Sequence, residues 1–282
     1  MTPLTWLYVP GDRPERFDKA AASGADVVIV DLEDAVVPAH KEVARENAVR
    51  WLSTARSGSV EVRVNGLSTP WAHEDLAALT GAPALRGVRL PKVESPDDVH
   101  AALKALAAPE CELTCLIETA RGVEAAFEIA SVARVGAIGL GEADLAGDLG
   151  VRNADALMWA RSRVVIAARA AGLPAPAMSV FPHVDDLDGL AASSRAGRRL
   201  GFVGRAAIHP RQVPVIAAAF RPSPEEIADA HAVIDSFARA SEAGNGVLVM
   251  DDGRMIDPAM VVQARGVLDR AGEDAPPDGS AG

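Results

Sequence analysis

A (β/α)8 barrel carrying a C-terminal helix–hairpin–helix appendage is the fold this sequence predicts, and three observations predict it. Short β-branched runs alternate with longer amphipathic, alanine-rich segments as far as residue 220. Polar clusters stand at the carboxyl end of nearly every run, which is where barrel enzymes carry their chemistry. Beyond Ala219 the alternation stops and a different pattern begins.

The strands are WLYV (6–9), DVVIVDL (26–32), VEVRV (60–64), GVRLP (87–91), LTCLIE (113–118), VGAIGL (135–140), AMSVF (177–181) and GFVGRAAI (201–208). Helical segments follow each of them: PERFDKAAAS, HKEVARENAVRWL, WAHEDLAALT, SPDDVHAALKALA, GVEAAFEIASV, ALMWARSRVVIAARAAG, DLDGLAASSRAGRRL and PRQVPVIAAAF. Pro14, Ser95-Pro96 and Asp186 suit caps and first turns. Such alternation implies parallel pairing through crossovers, and the polar strand ends favour a closed barrel over an open doubly wound sheet. Residues 223–244 read as a helix opened by Ser223, with Glu225 and Glu226 in its first turn. NGVLVMDDGRMID then carries a hairpin signal at Asp252-Gly253, and PAMVVQARGVLDRAG forms a last helix ending near Gly272. Residues 1–220 are therefore expected to be the catalytic barrel. Residues 221–272 form an appendage too small to stand alone, which packs on the barrel or on a neighbouring subunit. Residues 273–282 form a disordered tail.

Bulk properties exclude several functions. With a formal net charge of −11 over 282 residues, neither nucleic acid nor an anionic membrane is an expected partner. Cys111 and Cys115 lack a nearby Cys or His to complete a metal site and read as buried reduced thiols. No secretory segment follows Met1 and no apolar run approaches the ~18 residues of a membrane span, so a soluble cytoplasmic protein is expected. Trp6, Trp51, Trp71 and Trp159 read as packing residues.

The stretch GLGEADLAGDLG (139–150) poses the chemical question. It reads as a loop whose glycines lack the spacing of a dinucleotide fingerprint, and Glu142, Asp144 and Asp148 in it would repel phosphate. Carboxylates at adjacent strand ends suit a hard divalent cation, so Glu118 after the fifth strand and Asp144 after the sixth are the expected metal ligands. Asp31, Glu33 and Asp34 are too dense to be all core, and at least one is expected to hold a metal-bound water. Glu33 and Asp34 are the catalytic candidates among them.

VPGDRPERFDKA, VDLEDAV, RVN, LPKVES, LIETARG, the G-x-x-D-L-x-x-D-L-G segment, IHPRQ and GRMID together resemble the citrate lyase β-subunit-like family, which includes malyl-CoA and citramalyl-CoA lyases. The resemblance runs over about residues 4–270. It implies a (β/α)8 barrel, a homotrimer or dimer of trimers, and Mg2+-dependent (or Mn2+-dependent) cleavage or formation of a carbon–carbon bond in a 3-hydroxyacyl thioester. Carried over position by position, Glu118 and Asp144 match the metal ligands, and Arg63 matches the arginine facing the carbonyl and developing enolate oxygen. Tyr8, Arg13 and Lys19 fall where relatives hold CoA. Asp257 matches an acid delivered from a neighbouring subunit. Two departures stand out: Ala143 replaces the glutamate of G-x-E-D-L, and Met178–His183 replaces an acid-bearing segment at the seventh strand. Three rivals stay open. They are a CoA-independent pyruvate aldolase, disfavoured because Asp34 rather than histidine follows Glu33; a citrate lyase β subunit acting on an acyl-carrier-protein thioester; and a non-catalytic acyl-CoA-binding protein.

Overall fold

The computed structural model describes residues 2–54, 59–108, 110–242, 247–249 and 253–273. The chain divides into two compact units, one spanning Pro3–Phe220 and the other taking in Arg221–Gly282.

In the first unit the strands are β1 (Thr5–Pro10), β2 (Val27–Asp31), β3 (Val60–Arg63), β4 (Leu85–Leu90), β5 (Glu112–Ile117), β6 (Val135–Leu140), β7 (Ala177–Met178) and β8 (Gly204–Ala207). They pair in parallel as one eight-stranded sheet in the order β6-β5-β4-β3-β2-β1-β8-β7. The β1–β8 ladder wraps the sheet into a nearly closed (β/α)8 barrel, and β6 and β7 lie side by side without a ladder. The helices are α1 (Phe17–Ala21), α2 (Lys41–Thr54), α3 (Ala72–Ala78), α4 (Pro96–Leu106), α5 (Ala120–Glu124), α6 (Ala126–Ala130), α7 (Glu142–Leu149), α8 (Met158–Ala170), α9 (Leu187–Arg199) and α10 (Gln212–Phe220).

Register explains why these sequences make a barrel. Paired residues of parallel strands share a face. One face carries Leu7, Val9, Val28, Val30, Val62, Val88, Leu90, Leu113 and Ile117, all buried against the helices. Burying each such side chain stabilises the fold by about 1.5–3 kcal/mol. The other face turns inward and is mostly polar, with Asp31, Glu61, Arg63 and Arg89 between Trp6 and Tyr8. Deep inside, Arg89 is paired with Glu61 at 2.6 Å, and its guanidinium stands 5.9 Å from the Trp6 ring centre. Both cysteines are buried and free, and burial pushes the Cys115 thiol up to about 12.

Three expectations change. The seventh strand stops at Met178 instead of running to residue 181, and there the Ser179 carbonyl accepts a hydrogen bond from the side-chain Nε of Arg205 on β8 rather than from a backbone N–H of the ladder. The stretch after Gly141 is a helix rather than a loop: Glu142 and Asp144 lie in its first turn, where the helix dipole favours acids, and Gly150 ends it at φ 69°. Trp159 is 60% exposed, so it is not a packing residue within this chain.

The second unit contains α11 (Pro224–Glu242), the antiparallel pair β9 (Leu248–Val249) and β10 (Met255–Ile256), and α12 (Pro258–Ala271). Val233, Ile234, Ile256, Val261 and Leu268 form its own small core. The turn residue Asp252 and residues 274–282 of the expected tail lie outside the described residues. Among the described residues no helix is long and apolar enough to cross a membrane.

Candidate active site

Charged side chains converge where β2 to β6 end. Asp31, the last residue of β2, is 1% exposed. Its carboxylate accepts from Nε and Nη2 of Arg63 at 2.7 Å each, and from the backbone N–H of Glu33 at 2.9 Å and of Ala35 at 3.0 Å. Lys41, at the start of α2, holds the same turn from the other side by donating to the carbonyls of Leu32 and Glu33 at 2.8 and 2.7 Å. Nη1 of Arg63 lies 2.9 Å from Oε2 of Glu33 and 3.1 Å from Oδ2 of Asp34. Burial by itself would lower the Arg63 pKa, but Asp31 outweighs it, so the guanidinium stays charged.

Lys92 joins the remaining acids. It follows β4 in the left-handed region, at φ 53°, a conformation costing a non-glycine residue about 1–2 kcal/mol. In that posture its backbone N–H donates to Oε2 of Glu118 at 2.9 Å and its ammonium to Oε1 of Glu33 at 2.6 Å. The same ammonium is 3.8 Å from Oδ1 of Asp144. Burial opposes the lysine's charge, but the bond to Glu33 prevails and its pKa rises.

Negative charge exceeds what these two cations absorb. Burial, then the Glu33 and Asp144 carboxylates, push the buried Glu118 up to about 7. Glu33 is also raised, chiefly by burial, and its Oε2 has no hydrogen bond despite its closeness to Arg63. This deficit fits a divalent cation held by Glu118 and Asp144. Two carboxylates suit Mg2+, an ion that takes one or two protein carboxylates and keeps other positions for water and substrate.

The acids of residues 139–150 now separate by role. Glu142 is committed to Arg161 of α8, with both Nε and Nη2 donating to it, and therefore does not stand in for the glutamate missing at Ala143. Asp148 accepts the backbone N–H of Ala120 at 2.7 Å, tying α7 to the turn after Glu118. Asp144 alone reaches the cluster. Gly141 makes room for it all: a Cβ there would overlap the Glu118 carboxylate.

Glu33, Asp34, Arg63, Glu118 and Asp144 are thus brought together. Tyr8 joins them from β1, its ring centre 5.0 Å from the Arg63 guanidinium, and burial raises its pKa. Arg13 and Lys19 stand exposed on the turn after β1 and on α1, and neither bonds to the cluster. Asp257 belongs to the second unit, where it caps α12 by accepting from the Met260 N–H at 3.0 Å. Asp31 is expected from the sequence only as one of three acids near a metal-bound water, not as the partner of Arg63, and Lys41 and Lys92 are not among the expected site residues. Asp31 and Lys92 do sit at strand ends, but a left-handed lysine leaves no mark in the residue order.

Residues 4–210 match the HpcH/HpaI aldolase/citrate lyase family. The chain belongs to this family. Among its HpcH/HpaI relatives is a (3S)-malyl-CoA thioesterase of Cereibacter sphaeroides, 37% identical over 94% of this chain and 93% of the relative. An L-malyl-CoA/beta-methylmalyl-CoA lyase of the same species is 33% identical over 94% of this chain and 93% of its own. Among solved structures, Mycobacterium tuberculosis CitE in complex with magnesium, acetoacetate and coenzyme A superposes with a TM-score of 0.82 at 37% identity, covering 96% of this chain and 98% of that one.

Proposed function

We propose that this member of the family is a Mg2+-dependent carbon–carbon lyase that cleaves, or in reverse forms, a short 3-hydroxyacyl-CoA thioester of the malyl-CoA or citramalyl-CoA type, giving acetyl-CoA and a 2-oxo acid. The observation that carries the reading is the convergence of a charge-deficient carboxylate pair, Glu118 and Asp144, with the arginine Arg63 at one end of the barrel. Relatives named for malyl-CoA chemistry and a neighbour holding magnesium and coenzyme A support it.

Cleavage breaks the bond between the thioester's α-carbon and the hydroxyl-bearing carbon. The hydroxyl proton leaves, its oxygen becomes the carbonyl of the 2-oxo acid, and the electron pair of the broken bond moves onto the thioester as an enolate. Arg63 faces that enolate oxygen with a fixed positive charge, the largest single contribution such sites make. Glu118 and Asp144 would hold Mg2+, which would supply Lewis acidity to the 2-oxo acid fragment. Glu33 and Asp34 border Nη1 of Arg63 and are suited to holding water or a proton there. Asp257 is assigned the proton delivered to the α-carbon, from the C-terminal segment of a neighbouring subunit in a homotrimer or dimer of trimers. Tyr8, Arg13 and Lys19 are assigned to CoA, and the cytoplasm is the assigned compartment.

A second reading has its own support: the thioesterase relatives match as much of the chain at higher identity than the lyase. Hydrolysis would break the thioester C–S bond instead. Malyl-, citramalyl- and hydroxymethylglutaryl-CoA, each with Mg2+, with EDTA and with Glu118→Ala, separate the two. Metal-dependent release of acetyl-CoA and 2-oxo acid supports the lyase, whereas free CoA thiol with the intact hydroxy acid supports the hydrolase. Loss of neither bond in a protein that binds Mg2+ would move the assignment to the pyruvate aldolase or the carrier-protein subunit.

A further inference from the structure

Three carboxylates surround Arg63, and they are not equivalent. Asp34 offers one contact from a side chain that is 55% exposed. Glu33 is shared with Lys92. Only Asp31, 1% exposed, gives both oxygens to the guanidinium, on Nε and Nη2. A two-point fork of this kind fixes the plane of the guanidinium as well as its position. With that edge occupied, the edge left for a ligand is Nη1, bordered by Glu33 at 2.9 Å and by the solvent-facing Asp34 at 3.1 Å, and Asp34 is the one a substrate oxygen displaces.

The same Asp31 carboxylate accepts the N–H groups of Glu33 and Ala35, so it also sets the height of the turn carrying Glu33 and Asp34. That turn has a second anchor in Lys41. Removing Asp31's charge therefore leaves the turn held through the Leu32 and Glu33 carbonyls, and the effect falls first on Arg63.

We propose that Asp31 is a positioning residue for the reaction: it aims the Nη1 edge of Arg63 at the substrate without touching substrate or metal. This rests on the lyase reading above. Substrate oxygen then meets a guanidinium already oriented, and no reorganisation is needed as charge develops. Asparagine at this position keeps the shape but turns an amide N–H toward an N–H donor, on the arginine side or the backbone side. Glutamate keeps the charge and shifts the fork.

The test is a double-mutant cycle on the full-length protein, with Asp31→Asn, Asp31→Glu, Arg63→Ala and Asp31→Asn/Arg63→Ala. It reads kcat, KM, Mg2+ affinity by calorimetry, and the Arg63 Nε–H resonance in 15N-arginine-labelled protein, assigned by its loss in Arg63→Lys. Asp31→Asn is expected to lower kcat by about 100-fold or more, with KM and Mg2+ affinity within about threefold. Asp31→Glu should recover about tenfold of that loss. In the Arg63→Ala background Asp31→Asn should cost less than about threefold more. Exchange of the Arg63 Nε proton with water should quicken about tenfold or more in Asp31→Asn. An equal loss in both backgrounds, a fall in Mg2+ affinity matching the fall in kcat, or an unchanged Nε proton would each overturn the proposal. If the wild type cleaves no thioester while the Nε proton still depends on Asp31, the lyase reading fails and the positioning stands. Turnover with no coupling to Arg63 is the reverse outcome.

Discussion

Acidifying the metal-free protein should protonate Glu118 well above the ordinary glutamate range, and that makes Mg2+ affinity the most direct probe of the site. The folded protein holds this carboxyl at about 7, against 4.5 for an ordinary glutamate, because burial and two neighbouring carboxylates disfavour its charge. A raised carboxyl pKa means that the fold prefers the protonated form. The group's contribution to stability is complete below pH ~4.5 and is lost as pH rises through ~7, a difference of roughly 3 kcal/mol. Only the ionised form ligates a cation. Between pH 8 and pH 5.5 the ionised fraction falls about 30-fold, and Mg2+ affinity should fall by the same factor, with release of close to one proton per ion bound at the lower pH. Calorimetry in two buffers of different ionisation enthalpy measures both quantities. Mg2+ should raise the melting temperature more at pH 8 than at pH 5.5, since the gain follows ligand concentration over Kd. Glu118→Gln should bind weakly and without this pH dependence. An affinity that stays flat from pH 5.5 to 8, with no proton released, would refute the reasoning and remove Glu118 from the metal.

Further outcomes follow from single contacts. Gly141→Ala places a methyl group on the Glu118 side chain and should weaken Mg2+ binding by about tenfold or more, read by the same titration, while overpacking around the buried Glu118 lowers stability by about 1–3 kcal/mol. Asp257→Asn retains a good helix cap but no acid, so kcat should fall by about 10²- to 10⁴-fold at unchanged stability. Asp257→Ala should add about 1 kcal/mol of destabilisation in a denaturant titration. Asp75 is fully buried, holding Arg45 at 3.2 Å and both nitrogens of Asn65. Asp75→Ala leaves Arg45 paired with Glu74 at 2.7 Å but strands the two N–H groups of Asn65, and should cost about 1–3 kcal/mol by the same denaturant measurement.

Much of this molecule was legible in the residue order because two signals agreed. Alternating apolar runs and helical segments marked the eight strands to within a few residues, and ionisable groups at strand ends marked the end of the barrel where charged side chains gather. Where reading failed, the cause was a contact made through space. Residues 141–149 looked like a loop because glycines bracket them, yet Gly141 is there for the Glu118 carboxylate and the acids suit a helix start. The Ala143 departure looked as though Glu142 had slipped by one position. In three dimensions Glu142 belongs to Arg161, nineteen residues away. Asp31 was visible as one acid among three, but its claim on Arg63 depends on the pairing of β2 with β3, which residue order alone does not weigh.

The missing ladder between β6 and β7 has a bearing on how the molecule is made. Every ladder in the barrel but one joins strands that are neighbours in the chain; the exception, β1 with β8, reaches from Thr5 to Arg205. Asp31, Arg63, Lys92, Glu118 and Asp144 all issue from the run β2 to β6. A chain emerging from the ribosome can therefore zip this run one crossover at a time and bring the reactive groups together before its last strands exist. Ring closure comes afterwards and bears a longer loop, about 2 kcal/mol more in chain entropy than a single ~30-residue crossover. The longest-range pairing in the barrel is thereby left to β1 and β8, outside the five strands that carry these charged groups.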